Sequence, residues 1–142
     1  MGRIMGIDYG DARIGLAFSD ITGFLVGEAF TLHEHNQTRA IDAIVAAAQE
    51  RDVSEIVLGY PKNMNATIGI RGEKSEALAE ILRIRTGLPV TLWDERQTTV
   101  AAHQILNQTG ARGKKRKNTV DAVAATLILQ GYLDFKSIHN KN

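Results

Sequence analysis

The sequence predicts an α/β fold in which helices flank a mixed five-stranded sheet. The chain opens with three short apolar segments joined by turns, which is the pattern of antiparallel strands. Two later apolar segments are each preceded by a helical pattern, which is typical of parallel strands. With 142 residues, 44% of them hydrophobic, the chain can bury one core. We therefore expect a single domain over residues 1–136 and a disordered polar tail at 137–142.

The first two strands are expected to form a hairpin. Apolar runs at Ile4–Ile7 and Ile14–Phe18 flank a connector that contains Asp and Gly, residues that favour turns. A third strand is expected at Glu28–Leu32, after the turn at Thr22 and Gly23. Because the connections are short, these three strands are predicted to be antiparallel.

A helix and a fourth strand come next. Apolar residues recur at helical spacing in Thr38–Arg51, and the short run Glu55–Leu58 predicts the fourth strand. The segment Pro61–Gly72 contains several Asn and Gly residues and is too long for a simple connector. It is therefore predicted to be a functional loop.

The second half contains three more helices and one strand. Gly87 and Pro89 are expected to end the first of these helices, and Val90–Trp93 to form the fifth strand. Two helices are predicted at Thr99–Gln108 and Thr119–Leu133; the latter is apolar on nearly every face, as a buried helix is. The residues of the first helix that are predicted to face inward are Ala77, Leu78, Ile81 and Leu82.

Composition excludes several classes of function. The chain has no cysteine, which excludes disulfides, thiolate zinc sites, iron–sulfur clusters and cysteine nucleophiles. Asp8 and Asp11 interrupt the N-terminal apolar run, so a signal peptide is not expected. No apolar run approaches the ~18 residues of a membrane span. We expect a cytoplasmic protein without a membrane partner.

The net charge is only +1, but the chain contains one strongly basic segment. Five positive charges fall within six positions, here called the basic cluster: Arg112, Lys114, Lys115, Arg116 and Lys117. Without them, 12 basic residues remain against 16 acidic ones, a net charge of −4. A basic cluster on an acidic body is typical of contact with a phosphate backbone, although a solvated loop has the same composition.

Acidic residues end two apolar strands and begin an apolar helix. Asp8 ends the first strand, and Asp94 with Glu95 ends the fifth. Asp121 is expected in the first turn of the last helix. Parallel strands finish at the same edge of a sheet, where ligands of open α/β sheets bind. We therefore expect these carboxylates to converge at that edge.

Each acid also has a simpler interpretation. Asp8 can begin a turn, and Asp94 can precede a helix. Glu95 can be a solvated charge, and Asp121, three residues after Asn118, can complete a helix cap. If the acids do converge, however, a cation must lie between them, and an all-oxygen set suits Mg²⁺. Two such ions can activate water and stabilise the leaving oxygen in phosphodiester hydrolysis.

Four sequence blocks occur in a characteristic order: Gly6–Gly10, Leu58–Asn65, Trp93–Thr99 and Val120–Ala124. Together they resemble the signature of the YqgF family, also called RuvX, the pre-16S ribosomal RNA nucleases. The resemblance covers nearly the whole chain, from Arg3 to Phe135. Its specificity lies in the Asp-Glu-Arg-x-Thr-Thr and Pro-Lys-Asn-Met-Asn blocks together, since Gly-Ile-Asp-Tyr-Gly alone is weak.

The resemblance implies a fold similar to ribonuclease H and the RuvC junction resolvases. It implies a metal-dependent nuclease in which Asp8, the Asp94–Glu95 pair and Asp121 are the catalytic, metal-binding acids. Resolvases carry an acid on the fourth strand, whereas Ile56–Gly59 has none, so an acid of the fifth strand must substitute. Whether the site holds one ion or two therefore stays open. We favour Glu95 as the ligand, because Asp94 is better placed to fix the turn.

Other residues of these blocks are candidates for nucleic-acid contact. Arg96, Thr98 and Thr99 follow the acids and can hold the scissile phosphate, although a threonine there also suits a helix N-cap. Asn63 and Asn65 can touch sugar or base edges, or simply form turns. The basic cluster lies just before the last of the acids and can cover the backbone that leads to the site.

We therefore expect a Mg²⁺- or Mn²⁺-dependent nuclease that trims the 5′ end of pre-16S rRNA, as a monomer or weak homodimer. A Holliday junction resolvase of the same chemistry is the first alternative, which a stable dimer would favour. A nucleic-acid-binding module without turnover is the second, suggested by the missing fourth-strand acid. Gly-Ile-Asp-Tyr-Gly also resembles the phosphate loop of actin-like sugar kinases, but the chain is too short for their second domain.

Overall fold

The computed structural model describes residues 2–10, 12–60, 70–94 and 113–139. These residues contain five strands and three helices. Only the backbone is described at 70, 71, 113–121 and 139. The strands are β1 (Arg3–Tyr9), β2 (Arg13–Ser19), β3 (Val26–His33), β4 (Val53–Tyr60) and β5 (Val90–Asp94). The helices are α1 (Gln37–Glu50), α2 (Ile70–Thr86) and α3 (Gly113–His139).

The strands form one mixed sheet in the order β3-β2-β1-β4-β5. β2 pairs antiparallel with β1 and β3, whereas β4 pairs parallel with β1 and β5. The predicted mixed sheet is thus confirmed: short turns return the chain antiparallel, and the helical crossovers return it parallel. The register places Asp8 opposite Gly15 of β2, and Asp94 opposite Tyr60 of β4.

Helices cover both faces of the sheet. On one face α1 and α2 pack over the strands, with Ile44 and Leu82 fully buried. On the other face α3 packs through Ala125, Ile128 and Leu129. We call these the α1/α2 face and the α3 face. Each fully buried aliphatic side chain of this kind contributes roughly 1.5–3 kcal/mol, so both faces stabilise the sheet.

The ends of α1 and α2 follow from local chemistry. The Asn36 side chain caps α1 by accepting a hydrogen bond from the Arg39 amide, at 3.0 Å. Gly87 follows α2 with a φ of 70°, and its amide donates to the Arg83 carbonyl at 2.9 Å. This left-handed cap confirms the predicted stop.

α2 differs from its prediction in its first residue and in which of its residues are buried. It begins at Ile70, so the last residues of the predicted Pro61–Gly72 loop are helical. Leu78 and Leu82 are buried and Ile81 packs against the core, as predicted, but Ala77 is exposed and Ser75 and Ala79 are buried in its place. Because Ser75 on the buried face is polar, the pattern of apolar residues did not fully predict which face of the helix is buried.

α3 is longer than predicted at both ends. It begins at Gly113, so positions 114–117 of the basic cluster are helical rather than a loop. Asp121 consequently lies eight residues inside the helix and not in its first turn. Lys and Arg are good helix formers, and they outweigh the cap-like spacing of Asn118 and Asp121. The helix also continues through His139, into the segment predicted to be a disordered tail.

α3 rests on the sheet rather than being enclosed. Val123 and Leu127 are half-buried, although the apolar pattern predicted burial on every face. No helix within the described residues is long and apolar enough to cross a membrane. The predicted helix Thr99–Gln108 and the loop positions 61–69 lie outside the described residues.

Candidate active site

Asp8 lies at the carboxyl end of β1, on the α3 face. Side chains alternate between the two faces of a strand, so positions 4, 6 and 8 of β1 share one face. Ile4 belongs to the α3 cluster, which identifies that face. Asp8 is half-buried there. The predicted position of this acid at the strand end is therefore observed.

Helix α3 comes unusually close to β1 at Gly6. A Cβ atom placed on Gly6 would lie 2.8 Å from the Cβ of Leu129 and 3.1 Å from the carbonyl oxygen of Ala125. Any side chain at this position would push the helix away. Glycine thus allows the backbone of α3 to rest directly on the strand that carries Asp8.

The course of α3 over β1 carries the helix toward Asp8. Leu133 lies with Ile4 in the α3 cluster, while Leu129 and Ala125 lie over Gly6. Four helix residues advance about 6 Å, close to the roughly 6.7 Å of two strand residues. Position 121 is therefore on the helix stripe that continues past Gly6 in the direction of Asp8. The Asp121 side chain itself lies outside the described residues.

Asp94 is at the same sheet edge as Asp8 but on the opposite face. Leu92 packs against the α1/α2 core, whereas Trp93 packs against the α3 cluster. By alternation, Asp94 is on the α1/α2 face, and it is exposed. The structure thus brings both acids to one edge without bringing them to one face. Glu95 lies outside the described residues.

Trp93 joins the end of β5 to α3, a contact that the sequence analysis missed. Its ring meets Tyr132 edge-on, with ring centroids 5.7 Å apart, and Phe135 at 5.5 Å. A Cβ atom on Gly131 would lie 3.5 Å from Trp93 Nε1, so the indole lies against the helix. Gly131 and Tyr132, a small residue and an aromatic one side by side in an otherwise apolar helix, are the sequence feature that could have predicted this contact. This packing fixes the strand end that precedes Asp94.

A polar network holds the C-terminal half of α3 over β4. The Tyr132 hydroxyl donates to Glu55, and Lys136 Nζ lies 2.8 Å from the same carboxylate. Burial, and then the hydrogen bond to Glu55, raise the pKa of Tyr132. The hydrogen bond to Glu55 also raises the pKa of Lys136. Tyr132 therefore stays neutral and Lys136 charged at neutral pH, and the pair anchors the helix.

The fourth strand contributes no acid at the candidate edge. Glu55 is the carboxylate of β4 on the α3 face, but it lies near the amino end and belongs to the anchoring network. Ile7 pairs with Leu58, which puts Gly59 next to Asp8. The predicted absence of a fourth-strand acid at this edge is thus observed.

Most of the predicted site residues lie outside the side chains that the structure describes. Among the described side chains, no group of three His, Asp or Glu residues is arranged to hold a metal ion. Of the four acids, only Asp8 and Asp94 have described side chains. The predicted contacts that lie outside the described residues are Asn63, Asn65, Arg96, Thr98, Thr99 and Arg112. At Lys114, Lys115, Arg116 and Lys117 the backbone alone is described.

Sequence comparison finds relatives along nearly the whole chain. Residues 2–135 match the family model RuvX, described as Holliday junction resolvase. A Lachnospira eligens protein named pre-16S rRNA nuclease is 47% identical over 137 residues, covering 94% of this chain and 98% of the relative. A Clostridioides difficile protein of the same name is 44% identical over 135 residues, covering 95% and 96%.

Structural comparison finds the same architecture in junction resolvases. Thermus thermophilus RuvC, in complex with a Holliday junction substrate, superposes with a TM-score of 0.62 at 13% identity. The alignment covers 96% of this chain and 98% of RuvC. The fowlpox virus Holliday junction resolvase gives a TM-score of 0.59 at 12% identity, covering 94% and 99%. At these identities the likeness establishes the ribonuclease H-like, RuvC-like fold.

Proposed function

This chain belongs to the RuvX family, and we propose that it is a nuclease that hydrolyses phosphodiester bonds near the 5′ end of pre-16S ribosomal RNA. The names of its relatives suggest the substrate. The observation that carries the chemistry is the contact of α3 with β1 at Gly6, which supports an acid at position 121 acting together with Asp8. Because the substrate is a ribosomal RNA precursor, the proposed site of action is the cytoplasm.

We assign the metal ligands to Asp8, Glu95 and Asp121. Their donors are carboxylate oxygens, which suit Mg²⁺ or Mn²⁺. Asp8 fits this role, since it is half-buried at the sheet edge beneath α3. A divalent cation, when bound, supplies an activated water and neutralises charge at the scissile phosphate. Asp94 is on the face of the sheet opposite Asp8, which favours Glu95 over Asp94 as the ligand.

The remaining residues bind and orient the substrate. The guanidinium of Arg96, next to Glu95 in sequence, suits bidentate contact with a phosphate and would neutralise charge as the bond breaks. The amide of Asn63 suits a sugar or base edge. Gly59 next to Asp8 carries no carboxylate, so the proposed partners of Asp8 are Glu95, which follows β5 in sequence, and Asp121 of α3. We propose that these residues contact a single phosphodiester from β1, from α3 and from the segments that follow β4 and β5.

The first turns of α3 are suited to hold the substrate strand. The helix begins eight residues before position 121, which corresponds to about 12 Å of helix. Positions 114 and 117 share the helix stripe of residue 121, because residues three, four and seven apart lie on one face. This geometry supports a basic cluster that extends beyond the sheet edge on the side of Asp8. Such a helix end can follow a phosphate backbone toward the site.

Neutralising the cluster should reduce the salt dependence of RNA binding. We expect the variant with Lys114, Lys115, Arg116 and Lys117 all changed to Gln to show a shallower slope of log affinity against log salt. Each phosphate contact on single-stranded RNA that is lost should lower the slope by about 0.7, because fewer counterions are released. Titrations at several salt concentrations measure this. Arg85→Gln, on an exposed ion pair with Asp42, serves as the control, and an unchanged slope in the fourfold variant would refute the role of the cluster.

Cleavage of two substrates in parallel tests the proposed function. Purified protein with Mg²⁺ or Mn²⁺ is given a pre-16S RNA fragment and a DNA four-way junction. Cleavage of the RNA alone, by a monomer or weak homodimer, is the expected result, since trimming one strand needs one site. Cleavage of the junction alone, by a stable dimer, would favour the resolvase. Binding of RNA without cleavage at any metal concentration would favour a binding module.

A further inference from the structure

A cavity of about 250 Å³ opens on the α1/α2 face, at the sheet edge where β1 ends. Three parts of the chain meet there: the β1–β2 hairpin, the segment that connects β3 to α1 together with the first turn of α1, and α2. The lining residues that the proposal uses are Tyr9, Ile14, Glu34, Ala40, Lys74 and Ala77. No role in the proposed hydrolysis has been given to any of them.

The cavity adjoins the candidate active site through one residue. Tyr9 directly follows Asp8 in β1, and the two side chains therefore point to opposite faces of the sheet. Tyr9 is half-buried and packs against the α1/α2 core. A nucleic-acid strand whose phosphate lies at Asp8 therefore reaches this cavity by crossing the sheet edge.

The chemistry of the lining suits a nucleobase better than a bare phosphate. Its inner wall is apolar, since Ile14 and Ala40 are only 1% and 2% exposed. Its rim carries Lys74 and also the carboxylate of Glu34, which accepts a hydrogen bond from the Asn36 amide at 3.2 Å and lies 3.6 Å from the exposed guanidinium of Arg39. A phosphate placed inside the cavity would meet this carboxylate. An apolar wall with a few polar groups at the rim is typical of sites for flat organic ligands. Aromatic side chains such as Tyr9 commonly stack on unpaired bases of RNA.

We propose that this cavity receives the base of an unpaired nucleotide that flanks the phosphodiester held at Asp8. The base lies against Tyr9 and Ile14, and its exocyclic amine donates to Glu34. Lys74 contacts the phosphate of the same nucleotide. The inference rests on the proposed nuclease function, because that function places the substrate strand at Asp8. It adds a base-binding subsite on the face of the sheet opposite the acids.

Fluorescence of a base analogue tests the subsite. A single-stranded RNA spanning the 5′ precursor junction carries 2-aminopurine at one position at a time, and is mixed with the Asp8→Asn protein so that it stays intact. We expect a fluorescence change of about twofold or more at one position, where stacking on Tyr9 alters the emission. Ala77→Phe in the same protein fills the cavity from its exposed rim, and should remove this signal and weaken binding about 5- to 100-fold.

The control is Ala46→Phe, which adds the same ring to an exposed position of α1 outside the cavity lining. It should leave both signal and affinity unchanged. Circular dichroism checks that each variant is folded. If Ala77→Phe does not fold, Ala77→Leu fills the cavity with a smaller side chain. A signal that both fillings leave intact, or no position-specific signal, would overturn the subsite.

Cleavage of the same RNA by the wild-type protein separates the two failures. Cleavage without a position-specific signal would overturn the subsite and leave the nuclease function standing. A position-specific signal that Ala77→Phe removes, without any cleavage, would support the subsite and overturn the nuclease function.

Discussion

Asp8→Asn should abolish cleavage of the RNA precursor while leaving its binding almost unchanged. The substitution keeps the shape of the side chain but removes the charge that the proposed metal site needs. Losing the several kcal/mol that a bound metal supplies corresponds to a fall in rate of about 10³-fold or more. Affinity should stay within a few-fold, because phosphate contacts by basic residues dominate the binding of nucleic acids. Single-turnover cleavage and a binding titration measure the two effects separately.

A matched control removes one negative charge elsewhere. Asp42 is an exposed residue of α1 whose ion pair with Arg85 contributes little stability, so Asp42→Asn should cleave like the wild type. Glu95→Gln should reproduce the loss seen with Asp8→Asn, whereas Asp94→Asn should reduce cleavage less, because Asp94 is on the other face of the sheet. Full cleavage by Asp8→Asn would contradict the metal site proposed at this edge.

The sheet and the edge that carries Asp8 and Asp94 could be predicted, because both follow from the turns and helices that connect the strands. Two apolar runs and the turn between Ile7 and Ile14 fix the hairpin, and helical crossovers make β4 and β5 parallel to β1. Parallel strands then bring Asp8 and Asp94 to one edge whatever the packing details. This part of the site follows from topology alone.

The faces of the sheet could not be assigned in the same way. Whether Asp94 lies beside Asp8 depends on which layer Trp93 packs against, and both layers are apolar. The start of α3 could not be predicted either. The spacing of Asn118 and Asp121 resembles a helix cap even though both residues lie inside the helix. The cavity beside Tyr9 was also beyond prediction, because it is assembled from three segments distant in sequence.

Gly6→Ala should destabilise the fold and impair cleavage together. The new methyl group would lie 2.8 Å from the Cβ of Leu129 and 3.1 Å from the carbonyl oxygen of Ala125, so α3 must move outward. Overpacking of this kind costs about 1–3 kcal/mol. A displacement of about 1 Å at a catalytic group can lower the rate by about 10²-fold. Thermal unfolding should therefore show a midpoint lower by several degrees, and cleavage should fall even where the variant is fully folded.

Gly27→Ala is the matched control for this substitution. Gly27 lies on the edge strand β3, where an added Cβ would be 4.0 Å from its nearest neighbour, the carbonyl oxygen of Phe18. The same methyl group should therefore be tolerated there, with stability and cleavage close to the wild type. Cleavage assayed well below both unfolding midpoints separates displacement of α3 from simple unfolding. If Gly6→Ala is stable and active, the direct contact of α3 with β1 does not position the acid at 121. If it is destabilised yet fully active when folded, the contact serves the core alone.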